Sequence, residues 1–119
     1  MLQANESLTT FSSAQRASTV IYLPEIHSRG QSYFPELRTG DTSKATIVAD
    51  IASAQHDNVR RVIAFDLDAG TSWDASREIA QAVLDVVLTD SDRVPVWCVD
   101  FLEDHLGIGY VARAERWAA

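Results

Sequence analysis

Apolar positions recur along this chain first with a strand-like spacing, then with a helical one, and the alternation of the two predicts the elements. Residues 1–16 show no period and are rich in Ser, Thr, Gln and Asn, so a mobile arm is expected there, with one globular domain over 17–119. STVIYLP, residues 18–24, is short, β-branched and aromatic and predicts a strand. Ser28, Arg29 and Gly30 offer a turn, and Tyr33, Phe34 and Leu37 a second apolar segment, so a β-hairpin is expected, with Pro35 confined to an edge or a bulge. The period then lengthens. Ile47, Val48, Ile51 and Ala52 form a helical stripe, with Asp41, Thr42 or Ser43 available as N-cap and Asn58 placed for a left-handed cap beyond the end.

In VRRVIAFDL, residues 59–67, Arg61, Ile63, Phe65 and Leu67 alternate with Val62, Ala64 and Asp66, the pattern of a central strand with one large apolar face and one small-residue face. TSWDASREIAQAVLDVVL follows, with Thr71 and Asp74 at the spacing of a reciprocal cap and a stripe of Ile79, Ala80, Val83, Leu84, Val87 and Leu88, which predicts a helix. Over residues 94–107, Trp97, Cys98, Phe101, Leu102 and Leu106 fall at helical spacing between Pro95 and Gly107; a strand over 94–99 is the alternative. The tail from Ile108 matches no element. The sum is an α+β domain of order β-β-α-β-α-α, compact and single, with a sheet of about three strands packed against helices.

Composition narrows the functional classes. A chain of 119 residues with 46% hydrophobic and 23% charged residues can bury a core of its own. No apolar run approaches the roughly 18 residues of a membrane helix, so no membrane contact is expected. The first residues carry neither a basic start nor a continuous apolar stretch, and the single cysteine, Cys98, forms no internal disulfide, so a cytoplasmic protein is expected. Nine of the ten basic residues are arginine, which with the abundant alanine points to a GC-rich bacterial genome. Charge is uneven along the chain. Residues 62–106 hold ten acids against Arg77 and Arg93, whereas the flanking stretches are balanced or slightly basic, for a net charge of −7. Such a field repels phosphate backbones, so direct nucleic-acid binding is not expected. An acidic half serves either as solvated surface or as a face for a basic partner.

The segment FDLDAGT, residues 65–71, places two aspartates and a glycine at the end of a predicted strand. It resembles the first motif of haloacid dehalogenase-like hydrolases, Asp-x-Asp-Gly-Thr after a strand. By that resemblance Asp66 is the implied nucleophile towards a phosphoryl group and Asp68 the implied acid and base, in a doubly wound domain. Ala69 displaces Gly70 from the motif's register, about 50 residues follow, and the only lysine, Lys44, lies upstream of the motif rather than downstream. Read without the resemblance, Asp68 and Gly70 are turn residues and Thr71 and Asp74 are helix-cap residues.

Asp100, Glu103 and Asp104 share a helix face, an acidic patch for a partner or, with a further carboxylate, for a hard cation. His27, His56 and His105 have no metal-ligand spacing, and Cys98 falls on the apolar stripe, where a thiol is packing. Neither a metal nor a cofactor is expected. Trp117 and Tyr110 add apolar surface in the tail and are candidate contact residues. The expected function is non-catalytic: a small acidic protein acting through protein contacts, with another protein or as a homodimer, using Trp117, Tyr110, Asp100, Glu103 and Asp104. One alternative is an acidic mimic of nucleic acid that inhibits a nuclease or defence system, and another is a metal-dependent phosphate-processing enzyme using Asp66 and Asp68.

Overall fold

Two consecutive residues with left-handed backbone, Arg29 (φ 53°) and Gly30 (φ 77°), make the first reversal of the chain. That pair gives a tight turn whose twist matches its flanking strands. Strand β1 (Val20–Ser28) thus folds onto β2 (Gln31–Tyr33), with Ser28 opposite Gln31. The structure, a computed structural model, describes residues 19–118, and the arm expected over 1–16 lies outside them.

β1 runs on past the predicted 18–24 because Pro24 costs it nothing there. Pro24 pairs with Val62, whose own N–H and C=O are turned the other way, to the Ser76 hydroxyl and the Ala75 N–H. The missing N–H of Pro24 therefore lies on the edge of β1 away from β3, where a proline is tolerated. On the same edge the Tyr22 N–H donates to the Thr42 carbonyl at 2.8 Å.

The sheet has the order β2-β1-β3-β4 with every pairing antiparallel, and β3 (Val59–Asp66) is central, as its sequence predicts. The fourth strand, β4 (Thr71–Asp74), corrects the expectation of three strands. Thr71 pairs with Asp66 and Asp74 with Ile63, so the residues read as a helix cap extend the sheet instead. All four are exposed, which leaves no alternation for a sequence reading to detect.

Four α-helices follow among the described residues. In α1 (Lys44–Ala52) the Ser43 hydroxyl accepts the Thr46 N–H at 3.1 Å, a side-chain N-cap. The left-handed residue past its end is Ala54 (φ 65°); Asn58 (φ 57°), expected there, instead immediately precedes β3, and its carbonyl accepts from the His27 N–H. Helix α2 (Ser76–Asp90) begins only after β4, and α3 (Val96–Leu106) starts after Pro95, so 94–99 includes no strand. Gly107 (φ 118°) and Gly109 (φ 82°) redirect the chain into α4 (Tyr110–Ala118), which occupies the tail the sequence left unassigned. The order is thus β-β-α-β-β-α-α-α, a compact single domain of the α+β class.

The helices pack on the small-residue face of β3. Val62 and Ala64 are fully buried there together with Ile47 and Ile51 from α1, Ile79, Ala80 and Val83 from α2, and Cys98 and Leu102 from α3. Short side chains let helix and sheet approach closely, and the absent bulk is supplied by the helices. Ile63 and Phe65 fall on the opposite face by the strand's alternation, beside Leu23 and Ile21 of β1, and are half-buried. No helix among the described residues is long and apolar enough to cross a membrane.

Candidate functional site

Asp66 ends β3, and its carboxylate closes the turn into β4. One oxygen accepts the N–H groups of Asp68 and Ala69, each at 3.1 Å, while the Asp66 carbonyl accepts from Gly70 at 2.8 Å. This is the local hydrogen bonding by which aspartate fixes turns. Asp68 is exposed on the loop, and Gly70 takes φ 70°. The strand that ends at Asp66 belongs to an antiparallel sheet, whereas the resemblance of FDLDAGT implied a doubly wound one. Lys44 pairs with Glu78 at 3.3 Å, and Arg61 pairs with Glu25 rather than with Asp66.

A second polar group, which the sequence reading missed, gathers where β3 meets α2 and α3. Ser76, only 2% exposed, accepts the Val62 N–H at 2.8 Å and donates its hydroxyl proton to Asp74, which also accepts the Ser76 N–H at 2.9 Å. Burial pushes the Asp74 carboxyl upward. The two hydrogen bonds from Ser76, with the charges of His105 and Arg61, outweigh it and hold Asp74 below the usual range. Nε2 of His105 lies 2.7 Å from the Arg60 carbonyl, and its ring stands edge-on to Phe101 at 4.9 Å. Serine, aspartate and histidine are the residue types of a hydrolytic triad. A nucleophilic serine, however, needs its hydroxyl proton directed at the base. Here the hydroxyl proton is directed at the Asp74 carboxylate and the oxygen holds a backbone N–H of the central strand. The cluster fastens α2 and α3 to β3. Its one legible signal was Asp-x-Ser just ahead of an apolar helical stripe.

Cys98 is fully buried, its thiol 3.6 Å from the Ile51 carbonyl, and burial pushes its pKa up to about 11. That is the setting of an inert packing thiol. Asp100 and Asp104 are exposed, while Glu103 turns inward to accept the Gly109 N–H at 3.2 Å, joining α3 to α4. No three His, Cys, Asp or Glu side chains among the described residues are grouped to hold a metal ion.

Tyr110 and Trp117 do come together. They share one face of α4, seven residues apart, and with α2 they bound a groove of about 640 Å³. Leu84 and Leu88 of α2 form its floor with Ala114, and Asp85 and Arg113 stand on opposite walls. One end is closed by the Tyr110 hydroxyl, which donates to Gln81 at 3.4 Å. At the other end Trp117 is 90% exposed. A tryptophan carries roughly 150–250 Å² of surface, so covering it stabilises by about 4 kcal/mol or more at about 25 cal/mol per Å². Nothing among the described residues collects that energy. The other tryptophans are tethered by their ring N–H groups: Trp97 donates to the Ala52 carbonyl at the end of α1, and Trp73 to Glu78, each at 3.1 Å. Of the further tail residues, Val111 is buried and Ile108 is exposed. No family model, curated protein or solved structure matches this chain.

Proposed function

We propose that this chain is a non-catalytic module acting by protein contact, with the α2–α4 groove as its binding face. Trp117 carries the reading: it stands 90% exposed at the open end of an apolar groove, with Leu84 and Leu88 beneath. Exposed tryptophan beside an apolar pocket is the composition of an interface anchor rather than of ordinary surface. The acid-base side chains of the domain support the same reading, because Asp66, Asp74 and Ser76 hold turns, a helix start and the central strand, and Cys98 is sealed in the core.

Photo-crosslinking tests it. A benzophenone side chain installed at position 117, in the cells that make the protein, should give a protein adduct, and the same group at the exposed Ala45 of α1 should not. Adducts absent from position 117, or equal from both positions, would overturn the groove as the binding face.

A further inference from the structure

Taking the groove as a contact face, we propose that its occupant is α4 of a second copy of this chain. In a two-fold arrangement Trp117 of each copy covers the half-buried Leu88 and Ala114 of the other, above its buried Leu84, and Arg113 of each meets Asp85 of the other.

Charge points to a second copy. The walls of the groove carry one acid, Asp85 on α2, and one base, Arg113 on α4, and these two form no ion pair with each other. The Asp85 carboxylate accepts from the Gln81 amide, at 3.1 Å, and Arg113 lies over the Tyr110 ring, 5.6 Å from its centre. A face holding one unpaired charge of each sign is complementary to itself when rotated by half a turn, since a two-fold interface places residue i against j and j against i. Arg116, exposed one turn further along α4, makes no hydrogen bond or ion pair among the described residues and adds a second positive charge. This matters because the chain carries a net charge of −7, and two copies meeting elsewhere along residues 62–106 would bring acid against acid.

Length points the same way. From Gln81 to Thr89 the α2 wall spans about 12 Å at roughly 1.5 Å per residue, two helical turns. Helix α4 has 9 residues, about 12 Å by the same rise, and carries Tyr110, Ala114 and Trp117 along the face that would lie between the two copies.

The test is sedimentation equilibrium of the full chain over a wide micromolar range, with three variants and a charge swap. Wild type should pass from monomer to dimer within that range. Trp117→Gln should weaken association by about thirtyfold, the loss typical of a central interface tryptophan. Arg113→Glu or Asp85→Arg alone should weaken it by about tenfold, and the double reversal should restore it to within about threefold. All three positions of change are exposed, so melting temperatures at low concentration should match wild type, which separates lost association from lost folding. A wild type monomeric throughout, or a double reversal that restores nothing, overturns the second copy as occupant. The crosslink from position 117 separates the two readings. An adduct of twice the chain's mass supports the dimer; one of any other mass overturns the dimer and keeps the contact face; none overturns both.

Discussion

Replacing Ser76 with alanine removes one oxygen and should cost more than any exposed substitution in this protein. The Ser76 hydroxyl is the acceptor for the Val62 N–H at 2.8 Å, and Val62 is fully buried at the centre of the sheet, so neither water nor another strand reaches that N–H when the oxygen goes. Leaving a buried donor unpaired costs about 1–3 kcal/mol. The Asp74 carboxylate loses a donor in the same step, which keeps the expectation in the upper half of that span. An ordered domain of this size moves its midpoint by about 4–8 °C per kcal/mol, so Ser76→Ala should melt roughly 8–24 °C below wild type. Circular dichroism melts with urea titrations are the assay, and the urea slope should not change, because the surface exposed on unfolding is the same. Ser72→Ala, at an exposed site on β4, is the control and should stay within about 0.5 kcal/mol of wild type. The Asp74→Asn and Ser76→Ala changes should also couple by about 0.5 kcal/mol or more in a double-mutant cycle. If Ser76→Ala melts with wild type, the hydroxyl does not hold the central strand and the account of the polar cluster fails.

Asp74 ionises below its ordinary 3.8 in the folded chain, so its contribution to stability is complete above that pH and is lost as pH falls through the lower folded value; Asp74→Asn should flatten the acid limb of a stability-against-pH curve. Cys98 behaves in the opposite sense. Its thiol ionises near 9.0 when unfolded and at about 11 when folded, so stability should fall as pH rises between those values, and Cys98→Ala should remove that fall. The same thiol should resist a disulfide reagent in the native chain and react at once in urea, read by absorbance. Asp66→Ala, which strips the acceptor from two turn N–H groups, should cost about 1 kcal/mol in chemical denaturation, and Asp68→Ala about 0.5 kcal/mol or less.

Elements whose signal is local were legible in the sequence. The stripe of Ile79, Val83 and Val87 specifies α2 by its spacing alone, and the Arg29–Gly30 pair marks the first hairpin by its turn chemistry. What was not legible depends on distant partners. Thr71–Asp74 becomes a strand only because Ile63–Asp66 offers an edge, and its four exposed residues carry no pattern of their own. The helix α4 did have a signal, with Tyr110, Val111, Ala114 and Trp117 on one face, but Gly107 and Gly109 break the chain just ahead of it and Trp117 finds no cover to confirm the stripe. For the site, the sequence named Tyr110 and Trp117 but not Leu84 and Leu88, which looked like ordinary core positions of α2 until a second wall was present. Ser76 escaped notice because a lone serine at a helix start is common, and its importance comes from the strand lying beneath it.

Pro24 and Thr42 determine how this protein can grow. An incoming strand binds a sheet by exchanging hydrogen bonds along an edge. Along β1, beyond the three residues that β2 covers, two of the donors such a strand would use are already gone, one removed by the ring of Pro24 and the Tyr22 N–H taken by the Thr42 carbonyl. The other margins are β2 and β4, three and four residues long, too short to template a ladder. Strand-by-strand polymerisation, a common failure of exposed sheet edges, is therefore hindered along the described margins of this sheet. A chain with Pro24→Val would regain one donor in the middle of that edge, and should form thioflavin-positive fibres under agitation where the natural sequence stays clear.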